Sequence, residues 1–216
     1  MSNIVNDVVE DYIRHTLKDA DGLLKELEVF AEENSVPIVH KEVSDLLKVL
    51  LKMQKPQRIL EVGCAIGYSS ILFATTCEDN VDITTCERNP VMIERAKENI
   101  KRAGFENNIR ILEGDAVEQL KNVEGEFDMI FLDAAKGQYK LFYDLVIDKL
   151  KVGGVLISDN ILYKGMIASD DLVVRRKKTI VKRMRNYLDY ICNCDYLTTS
   201  LLPMGDGVAI SYKDSK

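Results

Sequence analysis

The chain has 216 residues, a formal charge of −6, five cysteines and two histidines. That length suits one domain with a sizeable core; no apolar run approaches the roughly 20 residues of a membrane span, and MSNIVNDVVEDYIRH lacks a basic-then-apolar leader pattern, so a cytoplasmic protein without membrane contact is expected. An odd number of cysteines spread through predicted strands and helices reads as packed, reduced thiols, and His15 and His40 alone argue against a zinc centre.

Ile4, Val5, Val8, Tyr12, Ile13 and Leu17 keep helical spacing, and a second helical segment runs from about Asp21 to Glu33. Pro37 punctuates, then Val43, Leu46, Leu47, Leu50 and Leu51 mark a third amphipathic helix. Residues 1–55 therefore read as a helical appendage on an α/β core spanning 56–216, the whole forming a single domain 1–216. Beyond Lys55-Pro56 strands alternate with helices. The strand candidates are Arg58–Val62, Val81–Cys86, Ile109–Glu113, Phe127–Leu132, Val155–Ser158, Tyr196–Leu202 and Gly207–Tyr212. Asn89-Pro90 and Gly104 bracket one of the intervening helices. This alternation predicts a doubly wound sheet of seven strands, mostly parallel, with helices on both faces. Pro203-Met-Gly-Asp206 is too short for a helical crossover, so the last two strands should form an antiparallel hairpin.

Acids cluster where the predicted strands end, the edge at which open α/β sheets bind ligands. Glu61 precedes the turn Gly63-Cys-Ala-Ile-Gly67, whose glycines let backbone approach a ligand. An acid there repels a pyrophosphate, which counts against NAD, but attracts an amino or sulfonium cation. Glu87 stands where an acid bonds ribose hydroxyls, and Asp115 near the expected place of an adenine. Each taken alone could be a helix cap or a solvated acid; three at successive strand ends weaken that reading. Asp133 in FLDAAKGQY and Asp159-Asn160 in GGVLISDN offer only oxygen ligands, which suits Mg2+ or another hard divalent cation. Taken alone, Asp159-Asn160 could equally be an Asx turn, and Lys136 a surface lysine.

Together LEVGCAIGYSS, FLDAAKGQY, GGVLISDNILYKG and LPMGDGVAIS resemble the class I S-adenosylmethionine-dependent methyltransferases, and within them the metal-dependent O-methyltransferases of catechol and caffeoyl-CoA type. The resemblance runs from about Pro37 to Tyr212 and implies a Rossmann-like methyltransferase sheet. It implies that Glu61, Gly63, Tyr68 and Ser69 hold the methionine part of the cofactor, Glu87 its ribose, and Asp115-Ala116 its adenine, with Asp133 close by. Val39 would be a lid residue, Asp133, Asp159 and Asn160 the metal ligands, and Lys136 the catalytic lysine beside Asp133. Dimers are common in the family, so a homodimer is expected.

The substrate must offer two neighbouring oxygens. A catechol or phenylpropanoid does so, and so does 5-hydroxyuridine, through its 5-hydroxyl and 4-carbonyl. Animal catechol enzymes carry a Trp before the catalytic lysine; this chain has Ala135 there and no Trp at all. From Leu172 to Tyr187 there are seven basic residues and no acid, leaving −13 for the remainder. Read as a helix, this stretch turns Val173, Ile180, Val181, Met184, Tyr187, Leu188 and Ile191 to the sheet. It projects Arg175, Arg176, Lys178, Lys182, Arg183 and Arg185 elsewhere, as a solvated face or as a phosphate-tracking surface. RRKKTIVKRMRNY also resembles the bacterial tRNA 5-hydroxyuridine methyltransferases, which makes a tRNA anticodon loop the leading expected substrate, giving 5-methoxyuridine, and a small dihydroxy aromatic the alternative. Outside this class stand an NAD-dependent oxidoreductase, disfavoured by the missing G-x-G-x-x-G, and a noncatalytic RNA-binding module on the same fold.

Overall fold

The computed structural model describes residues 4–78 and 81–215. Apolar, β-branched segments form β1 (Arg58–Val62), β2 (Asp82–Glu87), β3 (Ile109–Glu113), β4 (Phe127–Leu132), β5 (Leu150–Ser158), β6 (Leu197–Leu202) and β7 (Val208–Lys213). They join one sheet in the order β3-β2-β1-β4-β5-β7-β6. The first five strands are parallel, and β7 runs antiparallel to both β5 and β6. Strand order therefore reverses between β1 and β4, the switch point at which crossovers leave toward opposite edges and open a crevice.

The helices are α1 (Asp7–Thr16), α2 (Gly22–Asn34), α3 (Lys41–Gln54), α4 (Tyr68–Thr76), α5 (Pro90–Ala103), α6 (Ala116–Asn122), α7 (Tyr139–Val146) and α8 (Lys178–Cys192). Local chemistry sets their ends. Asn6, Asn89 and Asp115 each accept a hydrogen bond from the second helical N–H of α1, α5 and α6, and Gly104 closes α5 in the left-handed region at φ 79°.

Both faces of the sheet are covered, so adjacent strand residues enter different cores. Ile59, Met129, Phe131 and Ile157 pack with Leu47, Leu51, Phe73 and Ile100 on one side. Leu60, Val62, Ile130 and Leu132 pack with Phe142, Tyr143, Met184 and Tyr187 on the other. Each such buried side chain stabilises the fold by about 1.5–3 kcal/mol. Phe73 and Phe131 add an edge-to-face contact at 5.4 Å between centroids.

Four expectations need correction. Val155–Ser158 is only the second half of β5, which begins at Leu150; Gly153-Gly154 and a register shift opposite Phe127–Met129 interrupt the apolar run that marks a strand. β2 and β7 each lie one residue later than their apolar runs suggest, because Glu87 and Lys213 still pair. The helical appendage is less separate than its sequence implies: Leu27, Ala31, Val43, Leu47 and Leu51 belong to the same core as β1. Only α1 buries no side chain, and charged groups tie it down. Arg14 grips Glu42 through Nε and Nη2, both at 2.8 Å, and Lys41 Nζ donates to the carbonyls of Arg14 and Leu17 at 2.7 and 2.8 Å. Lastly, the basic stretch is not one helix: Arg175–Lys177 form a 3-10 turn, and α8 starts at Lys178. Arg185 does not project freely but donates to the carbonyls of Ile167 and Met166 and pairs with Asp170 at 2.6 Å.

Candidate active site

A cleft of about 450 Å3 opens beyond the carboxyl ends of β1, β2 and β4. Its floor is built by a ladder of strand-end hydrogen bonds. Asp133 N donates to Val62 O at 2.9 Å, Asp159 N to Leu132 O at 3.0 Å, and the Gly63 and Cys64 amides to Cys86 O at 3.1 Å. Parallel register thus carries the acids that follow each apolar run to one edge. Gly63 holds φ 109°, and a Cβ there would lie 2.1 Å from the Asp133 carbonyl oxygen. Only glycine allows β1 and β4 to approach this closely.

Gly63, Tyr68, Ser69, Glu87, Asp115, Ala116, Asp133, Lys136 and Asn160 line the cleft, and Val39 closes it from the segment between α2 and α3. Glu87 fixes the glycine turn: Oε2 accepts from Ala65 N at 2.9 Å, and Oε1 from the Arg88 and Asn89 amides at 2.9 and 2.8 Å. Two carboxylate oxygens carry about four acceptor sites, so acceptor capacity remains for a hydroxyl donor. Asp115 uses Oδ1 to cap α6 through Val117 N at 2.9 Å. Tyr68 turns its hydroxyl away to Glu28 of α2, at 2.9 Å.

Glu61 does not line the cleft. It is fully buried behind the glycine turn, with Oε2 accepting from Ser70 Oγ and from Thr85 Oγ1. Burial raises its pKa above the usual carboxylate range, against hydrogen bonds from Ser69, Ser70 and Thr85. Its Oε1 is the one buried side-chain polar atom among the described residues without a partner. A buried carboxylate oxygen left unpaired costs free energy until a donor reaches it.

Asp133, Asp159 and Asn160 meet at the cleft's edge. Asn160 donates from Nδ2 to Asp133 Oδ1 and from its backbone N to Asp159 Oδ1, both at 2.7 Å. Asn160 sits at φ 60°, a left-handed conformation that Asn tolerates better than most residues. With Nδ2 turned to Asp133, its Oδ1 remains as an acceptor. Burial raises both carboxyl pKa values, and the charge of Asp133 raises that of Asp159 further. A buried carboxylate, Asp159, and a half-buried one, Asp133, that repel one another beside an amide oxygen form a donor set that fits a hard divalent cation. A second group of metal-type ligands, Glu10, His40 and Glu42, differs in kind: the Arg14 guanidinium already bonds all three.

Lys136 opens a 3-10 turn rather than an α-helical one, and its amine pairs with Asp206 Oδ2 at 2.9 Å. Burial still raises the carboxyl pKa of both Asp133 and Asp159, and the charge of Lys136 offsets part of that rise. Arg175, Arg176 and Lys178 are exposed and lie outside the cleft lining. Two of their basic neighbours come closer to it: Arg183 donates to Gly137 O at 3.4 Å, and Lys177 lies 5.7 Å from the Tyr163 ring that Lys136 also faces. Asp206 is the functional candidate that sequence reasoning misses; its one signal is its place in LPMGDGVAIS.

An acid-lined cleft at the switch point of a sheet of this order is the place where such folds bind a ligand. Comparison with known proteins supplies the class. Residues 14–214 match the O-methyltransferase family model. Catechol O-methyltransferase of Niastella koreensis is 29% identical over 79% of this chain and 80% of its own. A Staphylococcus aureus chain whose crystal structure carries a provisional caffeoyl-CoA O-methyltransferase name is 41% identical, with TM-score 0.85 over 96% of this chain and 98% of that one. A Podospora anserina methyltransferase solved with S-adenosylhomocysteine is 25% identical, with TM-score 0.87 over 97% of this chain and 95% of that one. The chain belongs to the O-methyltransferase family, among enzymes of caffeoyl-CoA and catechol type, and is an S-adenosylmethionine-dependent O-methyltransferase. Among its described residues, no helix is long and apolar enough to cross a membrane.

Proposed function

We propose that this enzyme methylates one oxygen of a vicinal pair on a small dihydroxy aromatic, of catechol or caffeoyl-type chemistry, with a divalent cation such as Mg2+ held by Asp133, Asp159 and Asn160. The observation that carries this reading is the pair of mutually repelling carboxylates, Asp159 buried and Asp133 half-buried, bridged by Asn160 at the edge of the cofactor cleft. When bound, the cation supplies Lewis-acid chemistry that favours ionisation of a hydroxyl held beside a second oxygen. Lys136, as the neutral amine once its own proton has left to solvent, would receive the hydroxyl proton on Nζ; the oxyanion so formed would take the methyl that the donor, when bound, supplies, the donor's carbon–sulfur bond breaking as the new carbon–oxygen bond forms and leaving S-adenosylhomocysteine. Glu87 orients the donor through its ribose, Glu61 braces Ser70 and Thr85 behind the glycine turn, and Val39 and that turn exclude water. The proposal includes a cytoplasmic homodimer; in the single chain Val8 and Tyr12 of α1 leave apolar side chains 77% and 71% exposed.

A second reading, methylation of 5-hydroxyuridine in a tRNA anticodon loop, is favoured by one observation. The exposed Arg175, Arg176 and Lys178 lie on the strip that reaches the Lys136–Gln138 turn through Arg183. The names of the relatives support the small-molecule reading more directly. Steady-state kinetics on a free dihydroxy aromatic, its coenzyme A ester and tRNA carrying 5-hydroxyuridine separate the two. The small aromatics are expected to turn over, with little effect of R175A/R176A/K178A on the free one. Turnover on tRNA alone, lost in that variant together with a salt slope smaller by about one per phosphate contact removed, would transfer the assignment to tRNA.

A further inference from the structure

We propose that Asp206 is a positioning residue for methyl transfer: its carboxylate holds the Lys136 amine and the loop after Asp159-Asn160 in one arrangement. The inference rests on the reading of Lys136 as the proton acceptor.

Asp206 sits in the turn between β6 and β7, where it joins segments far apart in sequence. Oδ2 accepts from Lys136 Nζ at 2.9 Å, 70 residues away, and Oδ1 accepts from the Lys164 backbone N–H. Its own carbonyl accepts from Leu162 N at 2.9 Å, and that of Gly207 from Ile161 N at 3.0 Å. Turn and loop lie so close that a Cβ on Gly207, at φ 88°, would stand 2.4 Å from Leu162 Cγ. The ion pair is largely withdrawn from water, with Lys136 25% and Asp206 13% exposed. A solvated surface pair wanders and contributes little; this one is confined by packing on both sides.

The loop needs such a tether. Asn160, Tyr163 and Lys164 all adopt positive φ, at 60°, 45° and 57°. Non-glycine residues in that region carry strain of about 1–2 kcal/mol each and persist where surrounding contacts over-determine them. Bonds from the Asp206–Gly207 turn to Ile161, Leu162 and Lys164 supply those contacts. The same turn sets the Tyr163 ring 5.2 Å from Lys136 Nζ. Proton removal demands that the amine stay within about 3 Å of the hydroxyl it serves. Asp206 is the side chain bonded to both the amine and the loop that frames it.

A double-mutant cycle tests this with D206N, K136A and the combination, reading kcat, KM for both substrates, S-adenosylhomocysteine affinity and melting temperature. Asn keeps one acceptor oxygen but cannot serve both Lys136 and Lys164. D206N is expected to lower kcat by about 10- to 100-fold, as a misplaced reacting group does, with S-adenosylhomocysteine affinity unchanged. The double variant should be no slower than K136A alone, and D206E should recover more activity than D206N. If D206N does not fold, D206E replaces it in the cycle, with a smaller kcat loss and the same non-additivity expected. An unchanged kcat in D206N, or losses that multiply with those of K136A, would overturn the inference by making Asp206 a bystander or a purely structural tether. Wild-type kcat in K136A would instead remove the Lys136 reading, a failure visible without any Asp206 variant.

Discussion

Asp159→Ala is expected to lower methyl transfer to a dihydroxy aromatic by about 1,000-fold or more, because it removes a carboxylate from the proposed cation site and the several kcal/mol that such an ion contributes to charge stabilisation. S-adenosylhomocysteine should bind nearly as before, since Asp159 lies behind Asn160 and does not line the cofactor cleft. Isothermal titration with that ligand beside a turnover assay checks both halves; Asp133→Ala should lose turnover too, but that residue borders the cofactor, so affinity falls as well. The Asp159 carboxyl also makes a stability prediction. Its pKa is raised by burial and by Asp133. A raised carboxyl pKa means that the folded state holds the proton more tightly than the unfolded state, so the ionised group costs stability once pH exceeds its unfolded value. Asp159→Asn keeps the acceptor for Asn160 N and removes the charge. In chelator-treated protein at neutral pH it should therefore raise the melting temperature; each 1 kcal/mol gained corresponds to about 2–4 °C for a chain of this size. The parent protein, likewise stripped of cations, should become more stable as pH falls from the folded toward the unfolded pKa. A lower melting temperature for Asp159→Asn would show that the buried charge is already compensated by the protein.

Gly63→Ala should be the most damaging conservative change in the chain. The added Cβ would stand 2.1 Å from Asp133 O and 2.8 Å from Asp133 C, both backbone atoms that cannot swing aside. Relief requires β1 and β4 to part at their carboxyl ends, which displaces Asp133 and opens the cleft floor. The expected cost is about 4 kcal/mol or more, hence a melting temperature lower by about 8 °C at least, with weakened S-adenosylhomocysteine binding. Gly104→Ala is the control: Gly104 is also left-handed, at φ 79°, but nothing lies within 4 Å of its Cβ position. It should lose only the conformational term of about 1–2 kcal/mol. Equal melting temperatures for the two variants would mean that the close approach of β1 and β4 contributes nothing beyond the φ preference.

Much of the site was legible because its residues are local to strand ends. Glu61, Glu87, Asp115, Asp133 and Asp159 each follow or close an apolar run, and parallel pairing brings such positions to one edge without further information. The left-handed Asn160 was legible for a related reason, since Asp-Asn after a buried strand suits a tight turn. What stayed hidden depends on pairings across the fold. Asp206 meets Lys136 over 70 residues and Arg14 meets Glu42 over 28, and neither distance leaves a periodic trace. Glu61 carries the reverse lesson: its position suggested direct cofactor contact, yet the fold sets it behind the glycine turn with one oxygen unpaired. The first half of β5 escaped notice because Gly153-Gly154 breaks the apolar pattern, although Leu150 pairs with Phe127. The basic stretch read as a single helix because charge dominates its composition, although Val174 and the Arg175–Lys177 turn precede the first α-helical residue.

The most direct test of the central claim is methyl transfer by the native chain after chelation, followed by titration with Mg2+, using a vicinal dihydroxy aromatic and its monohydroxy analogue. Transfer to the dihydroxy compound should vanish on chelation and return with Mg2+, while the monohydroxy compound stays unmethylated throughout. Full transfer in excess chelator, or equal methylation of both compounds, would contradict the reading of Asp133, Asp159 and Asn160 as a platform that selects two neighbouring oxygens.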